Sequence, residues 1–200
     1  MKAMINQNNG DISNNLIVKR IQTISQKNDL SKDVESVFVN LFNYMIKRKM
    51  YGCCHAFTSA LYVALCELGE QPQLYIGECY NKKDKPFDHS WLLLNAKIVD
   101  IAIYMPLTQK CNSITGAIIM DIDTITQKKI DTEYGYKTGL GFDNETNQVI
   151  NMAFVDYMDL FPFEKGGLWT LVQKILPDGY VLDINAARKK YANTKRIILQ

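Results

Sequence analysis

Between Ser31 and about Lys49, the apolar residues Val34, Val37, Phe38, Leu41, Phe42 and Met45 recur at steps of three and four. That spacing predicts a helix with one buried face, and Ser31 stands before it as an N-cap. A shorter helix is predicted from about Ile12 to Gln26. Gly52 then resets the chain before a third apolar run from Cys54 to Leu68, which Gly69 closes as the residue just past the helix end. Beyond Pro72 the pattern changes to strands: Gln73 to Tyr80, then the polar loop Asn81–Pro86, then His89–Leu94 and Lys97–Ala102. Another strand is predicted over Gly116–Asp121, and the mixed, glycine-containing stretch Thr124–Glu145 reads as loop with short strands. Helices return near Asn147–Leu160, Leu168–Ile175 and Asp183–Tyr191. The order predicts an α+β fold, with N-terminal helices packed on an antiparallel sheet and C-terminal helices after it.

Composition narrows the function classes. Two hundred residues, 47% of them hydrophobic, suit a single domain over 1–200 that buries about 70% of the surface of its unfolded chain. Residues 1–10 are polar and Asn-rich and are expected to fray. With 23 basic against 21 acidic residues the net charge is only +2, a poor footprint for a nucleic acid partner. The basic group Arg188, Lys189, Lys190, Lys195 and Arg196 reads as a solvated helix face and tail. No apolar run approaches the ~18 residues that span a bilayer, and the N-terminus lacks a signal-peptide core. The expectation is a soluble, cytoplasmic protein with no membrane partner. Five cysteines with no CxxC spacing argue against a disulfide framework or a structural zinc site. Cys53, Cys54 and His55 adjoin one another but point in different directions from a helix, which is poor geometry for a metal. Cys66 and Cys79, inside apolar runs, read as buried small hydrophobes.

Chemistry enters at Cys54. Stepping back three from Phe57, in the stripe Phe57, Ala60, Leu61, Ala64, Leu65 and Leu68, places Cys54 on the packed face of its helix. It also sits in the first turn, where free backbone N–H groups and the helix dipole favour an anion. The same N–H groups are suited to hold the oxyanion of a tetrahedral intermediate. Cys53 points about 100° off the stripe. A lone cysteine in this setting is more often a structural thiol, so its company matters.

The chain has two histidines. His55 follows Cys54 directly on the helix and is not expected to face the thiol. His89 is then the candidate base. With Asn95-Ala96 as a two-residue turn, Leu94 pairs with Lys97, Trp91 with Asp100 and His89 with Ala102. His89 and Asp100 then share one face of the sheet as diagonal neighbours. A one-residue slip would send them to opposite faces. In this register Asp100 orients the imidazole and His89 activates Cys54; the bland alternative is a satisfied His–Asp pair at a sheet edge.

Gly52-Cys53-Cys54 opening a helix that ends in Leu68-Gly69, followed by His89-Ser90-Trp91 and a strand with Asp100, resembles the transglutaminase-like (papain-like thiol) superfamily. The run Gln73–Gly77 followed by Phe87–Trp91 is similar to compact bacterial transglutaminase-like cysteine peptidases, the leader peptidases of lasso-peptide pathways among them. The resemblance covers about residues 50–103. It implies a papain-like core with Cys54 as nucleophile, His89 as general base and acid and Asp100 as orienting carboxylate. It also implies a thioester acyl-enzyme and no cofactor. It leaves the acceptor open. No side chain matches the upstream oxyanion donor of papain-like enzymes; Arg48 and Tyr51 stand near Cys54 without being obvious substitutes.

Two other motifs are weaker. Met120-Asp121-Ile122-Asp123-Thr124 faintly resembles a haloacid-dehalogenase nucleophile strand but comes late in the chain, among β signals. Tyr134–Gly141 has glycines without phosphate-loop spacing and reads as a turn. Phe154, Tyr157, Phe161, Phe163 and Trp169 read as core packing, with one or two available to line a cleft. The leading expectation is a cysteine hydrolase acting on an amide of a peptide or protein. The alternatives are an acyl or amine transferase with the same triad, and a catalytically silent binding module.

Overall fold

The structure, a computed structural model, describes residues 13–82, 85–107 and 115–200. The expected fraying of residues 1–10, the helix start at Ile12 and Cys111 lie outside the described residues. Helix α1 (Asn14–Lys27) is capped by Ser13, whose hydroxyl accepts from the Leu16 N–H. Helix α2 (Lys32–Arg48) is capped by Ser31 through the Val34 N–H. Every residue of the Val34–Met45 stripe is buried. Each fully buried Phe there, Phe38 and Phe42, contributes about 1.5–3 kcal/mol by leaving water.

Helix α3 (Cys54–Glu67) departs from the one-stripe expectation. Phe57, Ala60, Leu61, Ala64 and Leu65 are buried, but so are Ala56, Thr58, Ser59 and Val63. The cause is its central place: α3 packs on the sheet on one side and on the other helices elsewhere. Cys54 is therefore mounted on the most enclosed helix of the molecule, which fixes its position.

The strands are β1 (Gln73–Tyr80), β2 (Phe87–Leu94), β3 (Lys97–Val99), β4 (Ile118–Ile119), β5 (Ile122–Asp123), β6 (Glu133–Tyr136) and β7 (Ile197–Leu199). The main sheet runs β3-β2-β1-β6, with β7 also on β1 and a separate β4–β5 hairpin. Pairings among β3, β2, β1 and β6 are antiparallel, so the α+β architecture is the observed one. Asn95 and Ala96, with φ of 52° and 60°, form the mirror-type turn that matches strand twist. The register is Leu94 with Lys97, Leu93 with Ile98 and Leu92 with Val99.

After Val99 the ladder ends, and the expected Trp91–Asp100 and His89–Ala102 pairs do not form. Asp100 bridges Ile118 instead, and Ala102–Tyr104 winds into one 3-10 turn. The basic tail also differs from expectation. Ile197–Leu199 adds to β1 as a parallel strand beside Tyr75–Gly77. Gly77 makes room: a Cβ there would meet the Leu199 carbonyl oxygen at 2.7 Å. Arg196 lies over the rings of Phe154 and Tyr157, 5.3 and 5.0 Å from their centres. Arg188 pairs with Asp159, and Lys190 with Glu67.

The expected helix near Asn147–Leu160 is two, α4 (Asn144–Asn151) and α5 (Phe154–Asp159), broken where Met152 turns extended. The break re-aims the chain so that Phe154 is buried edge-on against Tyr62, 5.9 Å away. Helices α6 (Gly167–Ile175) and α7 (Ile184–Lys190) follow, before β7. Among the described residues no helix is long and apolar enough to cross a membrane.

Candidate active site

Gly52 sets up the nucleophile position. Its φ of +66° is a left-handed conformation, and a Cβ there would meet Leu107 Cδ1 at 2.6 Å. Its N–H donates to the Met105 carbonyl at 2.9 Å, tying the start of α3 to the segment that follows Asp100. Cys53 is the N-cap, no side chain caps the helix, and Cys54 is its first residue. The backbone N–H groups of the first turn are thus left for an anion beside the sulfur.

Strand β2 delivers His89, opposite Gly77 of β1. His89 is 5% exposed and Asp100 1%, and their Nε2 and Oδ2 atoms are 2.7 Å apart. The carboxylate reaches the ring although the expected ladder stops short of it, and the backbone of Asp100 is held by Ile118 instead. Asp100 is held from two more sides. Its Oδ1 accepts from the Ile103 N–H at 3.1 Å, and Oδ2 also accepts from the Tyr134 hydroxyl at 2.8 Å. With Nε2 committed to Asp100, the other ring nitrogen of His89 is left free of it, and the ring lies near enough to Cys54 to act on its charge. The structure brings the three residues named from the sequence into one site: His89 and Asp100 are in contact, and Cys54 and His89 line the same cleft.

Charge follows from this geometry. Burial alone would raise the Cys54 thiol, but the positive imidazole of His89, and secondarily His55, brings it down to about 5. Burial alone would lower His89, but the Asp100 carboxylate first and the Cys54 thiolate next raise it to about 10. Both shifts run in the direction of a thiolate–imidazolium pair backed by Asp100. The other described thiols go the opposite way. Burial raises Cys53 to about 11 and raises Cys66 and Cys79 as well. The tyrosine at Asp100, Tyr134, is also raised well above its ordinary value, chiefly by burial, so it remains a proton donor.

No family model, curated protein or solved structure matches this chain. The chemistry of the site therefore rests on its own geometry. That geometry contains residues the sequence did not single out. His55 is buried between Ser90 Oγ, 2.7 Å from Nδ1, and Thr146 Oγ1, 3.2 Å from Nε2. It lies near enough to act on the thiol's charge, although its place directly after Cys54 on the helix led to the expectation that it would not face the thiol. Arg48 instead pairs with Glu164 at 3.0 Å, and Tyr51 is 42% exposed. Neither takes the place of an oxyanion donor.

Cys54 and His89 open into a cleft of about 1040 Å³. One wall is the loop before α4, pinned across the opening by two carboxylates. Glu78 accepts from the Thr138 N–H at 2.9 Å and from its hydroxyl, and Asp88 accepts from the Asp143 N–H at 2.7 Å. Burial, then the nearby Asp143 charge, raises the Asp88 carboxyl. Cys54 itself is only half-buried, so the thiol is reachable from the cleft. Asp121 and Asp123 have structural work: Asp121 accepts from the Ile98 N–H at 2.8 Å, and Asp123 from those of Ile125 and Thr126. Among the described residues no group of three or more His, Cys, Asp and Glu side chains is placed to hold a metal ion.

Proposed function

We propose that the chain is a cysteine-dependent hydrolase of transglutaminase-like type, acting on an amide bond of a peptide or protein. The observation that carries this reading is the His89–Asp100 contact at 2.7 Å, with Cys54 lining the same cleft as His89; the lowering of the thiol by the imidazole supports it. Burial alone raises the thiols of Cys53, Cys66 and Cys79, and would raise this one.

In the reaction, the Cys54 thiolate adds to the amide carbonyl carbon, forming the C–S bond. The carbonyl oxygen becomes an oxyanion next to the uncapped N–H groups at the start of α3. His89, protonated in the ground state, donates its proton to the amide nitrogen as the C–N bond breaks. Asp100, itself fixed by Tyr134 and Ile103, holds the ring in place while its charge changes. Water then enters, gives a proton to the now neutral His89 and attacks the thioester, which releases the acid and restores the thiolate. The cleft's size and its polar wall of Glu78, Asp88 and Asp143 favour water as acceptor over a transfer that needs a dry site. A reducing, cytoplasmic setting suits a free thiol nucleophile, and the four described cysteines are all unpaired.

A p-nitrophenyl ester tests the reading without knowledge of the natural substrate. The expected result is a burst of one nitrophenolate per chain, an acyl adduct mapped to Cys54, and slow turnover in water. Cys54→Ala would abolish all three. A wild type with no burst and no adduct would refute the reading.

A further inference from the structure

The chain neighbours of the reacting pair are themselves joined. His55 follows Cys54 on α3, and Ser90 follows His89 on β2. His55 Nδ1 and Ser90 Oγ are 2.7 Å apart, and the Thr58 hydroxyl donates to the Ser90 carbonyl at 3.0 Å. Helix and strand are thus clamped twice, close along the chain to the sulfur and the imidazole. His55 is 6% exposed and Ser90 2%, so the clamp lies where water does not compete for its hydrogen bonds.

The other side of the ring belongs to α4. Nε2 is 3.2 Å from Thr146 Oγ1, and the Thr146 N–H is fixed by Asp143 Oδ1 at 2.7 Å. Burial raises the Asp88 carboxyl, and the Thr146 hydroxyl is among the groups that oppose the rise. Its hydrogen is therefore directed to Asp88, and its oxygen is left to accept from the His55 Nε2–H. The ring is oriented from both ends, by a strand that carries the base and by a helix whose leading loop walls the cleft.

The titratable groups around the ring come from every element packed there. Cys54 and Cys53 precede it, Asp88 and His89 flank Ser90 on β2, and Asp143 and Glu145 stand at the start of α4. Glu78 and Lys85 share the larger cleft with it, and Tyr157 the smaller cavity of about 440 Å³ beside that cleft. Against the raising effect of burial, His55 stands second to His89 in lowering the Cys54 thiol.

The geometry points to His55 as a second positioning residue of the reaction: clamped by Ser90 and Thr146, its ring holds the Cys54 sulfur in its reactive form beside His89. The assignment rests on the hydrolase reading above. It also makes the nucleophile's state depend on the seating of α4, through Thr146.

The test is the pH profile of iodoacetamide alkylation at Cys54 in wild type, His89→Ala, His55→Gln and Thr146→Val. His55→Gln keeps a hydrogen-bonding side chain and loses the ring; Thr146→Val keeps the ring and loses one tether. The midpoint should rise by about one pH unit in His55→Gln, and by less in Thr146→Val, while the limiting rate at high pH changes little. A fall in that limiting rate at an unmoved midpoint is the mark of a structural role alone and overturns the assignment. So does a wild-type midpoint that is low and moved by His89→Ala but by neither of the other variants; the hydrolase reading then stands. If His55→Gln does not fold, Thr146→Val decides by the same criterion. A wild-type midpoint already at about 8.5 overturns the hydrolase reading and the assignment together.

Discussion

Asp100→Asn isolates the carboxylate's charge with little change in volume. Asp100 accepts three hydrogen bonds in a site 1% exposed to solvent, from His89, Tyr134 and the Ile103 N–H. An asparagine offers one oxygen and one NH2. If its oxygen serves His89 and Tyr134, its NH2 faces the Ile103 N–H; if it turns over, the NH2 faces the two side chains. Either way a buried donor is left without an acceptor, at about 1–3 kcal/mol, and a charge-assisted bond is weakened. The expected loss is about 2–4 kcal/mol at pH 6, or roughly 5–15 °C in Tm for a chain of this length.

The loss should also depend on pH. His89 is raised to about 10 with Asp100 as the largest raising influence. Its stabilising contribution is fully present below the unfolded value of about 6.5 and is lost as pH rises through about 10. The gap between wild type and variant should therefore narrow between pH 6 and pH 10.5. Urea denaturation at both pH values measures it. A gap under about 0.5 kcal/mol at pH 6, or one equal at both pH values, would refute the reasoning.

Further consequences follow from single contacts. Tyr134→Phe removes one of two donors to Asp100 Oδ2 and should cost about 1 kcal/mol in chemical denaturation, with the pH midpoint of Cys54 alkylation little moved. Gly52→Ala places a Cβ against Leu107 at a φ of +66°; a loss of about 1–2 kcal/mol is expected by the same assay. Cys53→Ala should leave alkylation of Cys54 intact, because the Cys53 thiol is raised to about 11; peptide mapping at pH 7 would show label on the Cys54 position to the same extent in wild type and variant.

The parts of the site that were legible in the sequence are the local ones. The α3 start needed only Gly52 and the apolar run after it. The β2–β3 register needed only the Asn95-Ala96 turn and the alternation around it, and it holds as far as Val99; the Trp91–Asp100 and His89–Ala102 pairs expected beyond it do not form. What escaped was set by contacts far apart in sequence. Tyr134 reaches Asp100 only because β6 docks on β1, and nothing in its glycine-rich surroundings marks it as a partner of a carboxylate. Thr146 meets His55 across 91 residues. Ile197–Leu199 followed a run of basic residues, and its strand pairing depends on the opening left by Gly77. The α4–α5 break has neither proline nor glycine to announce it; the burial of Phe154 requires it.

The central claim is the thiolate–imidazolium pair, and the pH dependence of iodoacetamide alkylation at Cys54 tests it most directly, in wild type and in His89→Ala. Wild type should label at Cys54 with a midpoint near pH 5, and the variant's midpoint should rise toward the ordinary thiol range of about 8.5. A wild-type midpoint already at about 8.5, unmoved by the loss of His89, would contradict the account.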